Sequence, residues 1–459
     1  QLYVAPANGG EPVQVTDAKL GVSEFAFSPD SRTLVYTARV PEEDRYGTTD
    51  GVSGEQEDPR RITGFKFRMN EVGFTNDKRV HLFAVAVPDP FDPPLIKPVG
   101  RAAKAAKAAK DDGAEWQAVP PSRQLTDGDA DDTQPVVTPD GQSVLFTSAR
   151  HDTADTDLVT SLYRVPLTGG NPELLLEDLG LAAQGAVVVG EHVFFIGEDF
   201  GPSGRDFVAR NPGVYVVPVT GGVPDRLTDA ETVEILGQLT PIGDEAVLAI
   251  ENLRGGQRVL QVHRDGHTTV VFDEGVAQAA AAVPGDTGIV AVVAGSANTD
   301  ELVYIGSQVT TLTTFSAALT ENTRVSEPIE LTATAPDGYP VHGWVYLPEG
   351  AGPHPVLLNI HGGPFAAYQV NWFDEFQVYT EAGYAVVACN PRGSDGHGQE
   401  HGRAIRGDFG NLDAVDILAF LDHAVATVDE LAGDRIGVMG GSYGGYMTAW
   451  LIGHDHRFS

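Results

Sequence analysis

The sequence predicts an all-β propeller followed by an α/β domain. Three observations carry this: strand-like segments recur through the first part of the chain, the recurrence stops near Thr320, and from Ile329 apolar strands alternate with amphipathic helices. With 459 residues the chain exceeds what one ordinary core organises, so two domains are expected. The predicted division is 1–320 for the propeller and 325–459 for the α/β part.

The propeller rests on an internal repeat. A strand-like element recurs as Leu2-Tyr3-Val4, Leu82-Phe83-Ala84-Val85, Leu162-Tyr163-Arg164-Val165, Val214-Tyr215-Val216-Val217, Val259-Leu260-Gln261-Val262 and Leu302-Val303-Tyr304-Ile305. Three copies run into a Gly-Gly turn and a proline, at Gly9, Gly169 and Gly221. A short strand ending in Val/Leu-Thr-Asp follows at Thr16, Thr126 and Thr228. Then comes a turn and an apolar strand, as in FSPDSRTLVYTA and VTPDGQSVLFTS, where Pro-Asp presets the bend. Each unit supplies about four strands and later units recur every forty-odd residues, roughly the period of a propeller blade. About five complete blades and a partial N-terminal one are expected.

Two early blades carry insertions. PEEDRYGTTDGVSGEQEDPRR is polar and Gly-rich, hence a loop. GRAAKAAKAAKDDGAEWQAVPP opens as an Ala/Lys helix former, with Lys104, Lys107 and Lys110 on one face, and reads as a solvated insertion.

From Ile329 the elements change. IELTATAPDGYPVHGWVYLP reads as a hairpin turning at Pro336-Asp337-Gly338. HPVLLNIHGGP and AVVACNPRG are buried strands, FDEFQVYTEAGY and NLDAVDILAFLDHAVA are helices, and RIGVMGGS leads into a helix from Tyr443. Such alternation predicts a parallel sheet covered on both faces.

Composition narrows the function. The formal net charge of −34 disfavours nucleic acid and anionic membrane as partners and reads as a solvated acidic surface. No apolar run is long enough for a spanning helix. Cys389 is the single cysteine, so no intrachain disulfide forms, which suits a reducing compartment. The chain opens inside a strand without an initiator Met, and both ends read as truncated.

The chemistry lies in two motifs. Gly440-Gly441-Ser442-Tyr443-Gly444 is G-x-S-x-G between a strand and a helix. Its glycines leave room where strand and helix crowd, and the helix N-terminus favours a developing oxyanion. His361-Gly362-Gly363-Pro364 ends an earlier strand, where a Gly-rich loop supplies a second oxyanion donor. Together they predict an α/β-hydrolase with Ser442 as nucleophile and the N–H groups of Gly363 and Tyr443 as the oxyanion hole. His454 and His456 lie roughly 18 Å along the helix from the serine, too far to act as its base. His361 reads as a brace for its own loop rather than a base.

Other signals are weaker. Asp127, Asp129 and Asp131 imitate the start of a Ca²⁺ loop, but Asp132 and Thr138 stand where Gly and Glu are needed, so the segment reads as a blade-connecting turn. His397, His401 and Glu400 lack the helix of a zinc motif, and no metal or cofactor is expected. Cys389 reads as a small buried hydrophobe.

With the propeller repeats before NIHGGPFAAY, NPRGSDGHG and GGSYGGYMT, the chain resembles the prolyl oligopeptidase family of serine peptidases. The RRITGFKFRMNEVGF stretch and the HGGPF loop resemble its acylaminoacyl-peptidase branch most. The resemblance implies a propeller of seven blades when complete, its missing part upstream, that admits only short peptides. It implies a triad Asp and His beyond Ser459, and places Phe365 in the pocket for the residue before the scissile bond. It further implies homo-oligomers. The expected function is a cytoplasmic serine exopeptidase releasing N-acylated amino acids from short peptides. Dipeptidyl-, prolyl- or carboxypeptidase activity, a carboxylesterase, and a non-catalytic propeller scaffold are the alternatives.

Overall fold

The computed structural model describes residues 1–91, 100–101, 119–177 and 180–459. The Ala/Lys stretch bearing Lys104, Lys107 and Lys110 lies outside the described residues. Contacts divide the chain into two compact units. One is Gln1–Val193 with Pro202–Arg205 and Val217–Pro224; the other is Phe194–Gly201, Asp206–Val216 and Asp225–Ser459.

The first unit contains two four-stranded antiparallel meanders. One runs Val22–Phe27, Thr33–Pro41, Lys78–Ala86, Arg123–Gln124; the next runs Asp132–Val137, Ser143–Ser148, Ser161–Pro166, Glu173–Leu174. A two-stranded pair, Tyr3–Val4 with Val13–Gln14, precedes them. The Asp127–Asp131 segment joins one meander to the next, as a connecting turn should. Asp129 pairs with Arg79, and Asp131 accepts the Val80 N–H. The polar insertion after Pro41 forms turns and one short 3-10 helix, Gly54–Gln56, and lies between neighbouring strands of its sheet.

Two similar meanders stand in the second unit: Glu234–Ile242, Ala246–Leu253, Gly256–His263, Thr268–Phe272, and Val276–Ala282, Ile289–Gly295, Asn298–Ile305, Val309–Thr311. In the strands Thr33–Pro41, Ser143–Ser148 and Ala246–Leu253 successive residues are buried on both faces, which explains uninterrupted apolar runs such as Val144-Leu145-Phe146.

The repeat has a physical basis that its residue pattern only hints at. In several copies the first residue of the Leu-Tyr-Val-like element is clasped twice by the segment that follows it. The hydroxyls of Thr126, Thr228 and Thr313 accept the N–H of Leu82, Val214 and Leu302, at 3.0, 3.1 and 2.9 Å. The N–H of Leu125, Leu227 and Leu312 in turn donates to the carbonyl of the same three residues. Thr16 and Val15 make the same pair of bonds to Leu2. The threonine thus satisfies a strand N–H that has no further strand to pair with.

The remainder of the second unit is built on five strands. These are β1 (Ile329–Thr334), β2 (Pro340–Tyr346), β3 (His354–Ile360), β4 (Ala385–Asn390) and β5 (Leu431–Gly440), in sheet order β1-β2-β4-β3-β5. Four helices accompany them: α1 (Asp374–Glu381), α2 (Gln399–Arg403), α3 (Leu412–Thr427) and α4 (Tyr443–His454). The hairpin β1–β2 turns where Pro336-Asp337-Gly338 sets it. The sheet is mixed rather than parallel: β3 pairs with β4 and β5 in parallel, while β2 meets both β1 and β4 antiparallel. A strand entered through a tight turn can only return antiparallel, so the hairpin itself imposes the difference.

Both sheet faces are covered. Val345, Val387, Val356 and Leu358 pack against Ile417, Phe420 and Leu421 of α3 and Met447 and Leu451 of α4. The alternate residues Trp344, Tyr346, Val386 and Ala388 pack against Phe376 of α1. Cys389, the last apolar residue of β4, is buried in the α3 side of this core, where desolvation raises its thiol pKa.

Replacing Thr126 by Val removes the acceptor and keeps the shape, leaving the Leu82 N–H buried without a partner. The expected loss is about 1–2 kcal/mol of unfolding free energy in a urea titration. Thr126→Ser, which keeps the hydroxyl, should lose less.

Candidate active site

Ser442 stands between β5 and α4 with φ 55° and ψ −119°, a positive φ that a non-glycine residue rarely adopts. The crowding that forces this turn can be measured. A Cβ on Gly444 would lie 2.0 Å from the Ile360 carbonyl oxygen, and one on Gly440 would lie 2.6 Å from it. Only glycine lets α4 start so close to the end of β3.

The same crowding brings the second motif to the serine. A Cβ on Gly362 would stand 3.4 Å from the Ser442 Cβ and from the Gly441 carbonyl oxygen. Gly363 follows at φ +118°, also left-handed, and is exposed. Ser442 is exposed at the start of α4, and the buried Tyr443 ring follows it. Among the described residues, neither the Gly363 N–H nor the Tyr443 N–H donates to another group of the chain. Phe365 lies half-buried just beyond, its ring 6.4 Å from that of Phe409.

His361 braces the loop. Its Nδ1 lies 2.7 Å from the Gly362 carbonyl oxygen and its Nε2 2.9 Å from Ser394 Oγ. A carbonyl can only accept, so Nδ1–H donates to Gly362, while the single hydroxyl proton of Ser394 is shared between His361 Nε2 and the Pro391 carbonyl oxygen 2.7 Å away. Burial lowers the His361 pKa and keeps the ring neutral. His454 caps the far end of α4, stacked on Trp450 at 4.2 Å and donating to the Trp450 carbonyl. Among the described residues, no histidine hydrogen-bonds to Ser442.

Several supporting residues carried no sequence signal. Arg392, after β4, makes a two-pronged ion pair with the fully buried Asp416 at 2.6 and 2.9 Å and reaches Asp337 in the hairpin turn at 2.6 Å. Asp413, equally buried, accepts the N–H of Gly410 and the hydroxyl of Tyr443. Asn390 fixes Tyr368 by exchanging two bonds with its backbone, at 2.8 and 2.9 Å. The histidines of GHGQEHG are committed to structure. His401 is hydrogen-bonded at both ring nitrogens, to Tyr339 Oη and the Pro391 carbonyl, while His397 stacks on it and donates to the Asp395 carbonyl.

The loop after β4 also meets the meanders of its own unit. Gly396 N–H donates to Glu234 at 2.6 Å, Arg254 N–H donates to the Gly396 carbonyl, and Asp395 N–H donates to Ala366, two residues past the HGGP loop. Glu198, Glu234 and Asp395 form an electrostatically coupled group here. Burial, then Glu234, pushes Glu198 from 4.5 to about 7; burial, then Glu234 and Glu198, pushes Asp395 from 3.8 to about 7. Burial also raises Glu234, against the hydrogen bonds from Gly396 and Asn252.

Residues 370–459, which hold β4, α3, β5 and α4, match the prolyl oligopeptidase family. An uncharacterized peptidase of Bacillus subtilis is 26% identical over 480 residues, covering 100% of this chain and 68% of its own. The dipeptidyl-peptidase 5 of Porphyromonas gingivalis is 36% identical over 129 residues, 27% of this chain and 19% of that protein. In fold, the chain is similar to the acylaminoacyl peptidase of Pyrococcus horikoshii, with a TM-score of 0.75 at 18% identity, covering 100% of this chain and 65% of that one. It is similar also to an acylaminoacyl peptidase in complex with Z-Gly-Gly-Phe-chloromethyl ketone, with a TM-score of 0.74 at 19% identity, covering 99% and 64%. The chain therefore spans about two thirds of the length of the Bacillus subtilis peptidase and of the two acylaminoacyl peptidases.

The raised acids set a direction with pH. The native state holds protons on Glu198 and Asp395 that the unfolded chain has released, so their contribution is full below about pH 4 and is lost as pH rises through about 7. Glu198→Gln, which mimics the protonated acid, should be more stable than the wild type by about 1 kcal/mol at pH 8 and about equal to it at pH 4. Thermal melts at the two pH values check this.

Proposed function

We propose that the protein is a serine peptidase that cleaves short peptides through an acyl-enzyme at Ser442. The observation that carries this reading is the serine at positive φ on a strand-to-helix turn, with the Gly362 backbone packed against it. Ser442 Oγ attacks the peptide carbonyl carbon and gives its proton to a histidine base. The carbonyl oxygen becomes an oxyanion, held by the N–H groups of Gly363 and Tyr443. Collapse expels the amine, which takes that proton. Water then attacks the ester by the same route and releases the acid. The base and its aspartate are expected beyond Ser459. Phe365 is assigned to the pocket for the residue before the scissile bond.

The repeated meanders are read as blades of a propeller, closed and seven-bladed when complete, within a domain 1–320 preceding the hydrolase domain 325–459; it would admit short peptides and exclude folded proteins. Among the described residues, no helix is long and apolar enough to cross a membrane. A cytoplasmic location and a homo-oligomeric state complete the proposal.

Two exopeptidase readings have support. The fold neighbours named acylaminoacyl peptidases favour release of N-acylated residues. The sequence relatives named dipeptidyl-peptidase 5 favour removal of dipeptides. Paired anilide substrates, one N-acetylated and one with a free N-terminus, separate them.

The nucleophile is tested by intact mass after treating the full-length protein with a fluorophosphonate. One adduct is expected on the wild type and none on Ser442→Ala, with anilide hydrolysis reduced by at least about 10³-fold. An unlabelled wild type, or labelling that survives the substitution, would overturn the assignment.

A further inference from the structure

The loop between α2 and α3 places against Tyr443, the residue after the serine, an aromatic ring that the reading above leaves without a role. Phe409 is 41% exposed although three rings meet it edge-on: Tyr443 at 5.7 Å, Phe365 at 6.4 Å and Tyr446 at 6.4 Å. Tyr446, one turn into α4, is itself 43% exposed. These rings connect Phe365, next to the glycine loop, with the helix that starts at the serine.

The loop that presents Phe409 is held firmly. Gly410 N–H donates to both oxygens of Asp413, at 2.9 and 3.1 Å, and the same carboxylate accepts the Tyr443 hydroxyl. Gly410 lies against Trp450 of α4: at φ +86°, a Cβ there would stand 2.6 Å from the indole. Phe409 is therefore fixed to the chain neighbour of Ser442, Tyr443, and to helix α4. An apolar ring that is preorganised yet open is suited to receive a ligand group.

We propose that Phe409 is a specificity-determining residue that forms an aromatic wall with Phe365 and Tyr446. This wall receives a bulky apolar side chain on the acyl side of the scissile bond. The inference rests on the serine-peptidase reading and names the substrate class of that same site. A large apolar side chain laid on the wall removes the exposed faces of Phe409 and Tyr446 from water; an alanine side chain leaves them wet.

The test uses the full-length protein and p-nitroanilides with Phe or Ala before the scissile bond, as acetyl-Phe and acetyl-Ala and, in parallel, Gly-Phe and Gly-Ala. The readout is the Phe-to-Ala ratio of kcat/KM. Phe409→Ala should lower that ratio about tenfold, and Phe409→Leu, which keeps an apolar body, about threefold. Thermal melts establish that each variant is folded, and the leucine variant supplies the readout if the alanine variant is not. An unchanged ratio, or an equal fall for both substrates, would overturn the role, since a purely structural residue affects both alike. A wild-type enzyme that takes up a fluorophosphonate yet prefers Ala would overturn the wall and leave the peptidase reading standing. A wild type that neither labels nor cleaves any of the four would overturn both.

Discussion

Two parallel strands that end side by side govern the site. β3 and β5 are direct neighbours with Ile360 opposite Gly440, so the chain leaving each strand emerges at the same edge of the sheet. The Ile360 carbonyl oxygen is the point of closest approach, and Gly440 and Gly444 are the residues that tolerate it. With any side chain at Gly444, α4 would have to withdraw. Ser442 would then lose both its positive φ and its contact with Gly362. The nucleophile turn and the glycine loop are thus one packing solution rather than two motifs that happen to be close.

Helix α3 holds this edge from beneath. Asp413 and Asp416 stand three residues apart near its start, on one face, and both are buried. Asp416 grips Arg392 at the end of β4, while Asp413 grips Gly410 and Tyr443. Buried carboxylates are costly unless fully paired, and here each is satisfied by several donors. Their geometry constrains the loop after β4 and the start of α4 relative to the same helix. The His361–Ser394 bond then ties the glycine loop to that frame.

Much of this was legible because local rules are written in contiguous residues. The four-strand repeat showed in the recurring Leu-Tyr-Val elements, and the strand–Ser442–helix order showed in the spacing of glycines. The hairpin at Pro336-Asp337-Gly338 was legible for the same reason, although its consequence, a mixed sheet, was not drawn from it. The threonine clasp lay in plain view as Val/Leu-Thr-Asp. Its meaning was hidden because the bond joins Thr126 to Leu82, far apart in sequence. Asp413, Asp416 and Phe409 gave no signal at all. Their roles come from what the fold sets against them, and nothing in NLDAVDIL or GDFGN marks one acid or one ring over its neighbours.

The acidic composition shows the same limit more sharply. A net charge of −34 invites the reading of carboxylates as solvated surface, yet acids of this chain meet opposite fates once buried. Glu301 accepts hydrogen bonds from Ser316, Thr313 and Phe315, and these hold it at about 2. Glu198 is surrounded mainly by desolvating atoms and by Glu234, and it stands at about 7. The residue type is the same in each case. What separates them is the supply of N–H and O–H donors, and that supply is a property of neighbouring strands rather than of the local sequence. The formal count therefore overstates the charge carried near neutral pH, and it does so at the loop after β4, where a carboxylate pair left ionised would push that loop away from the meander it meets.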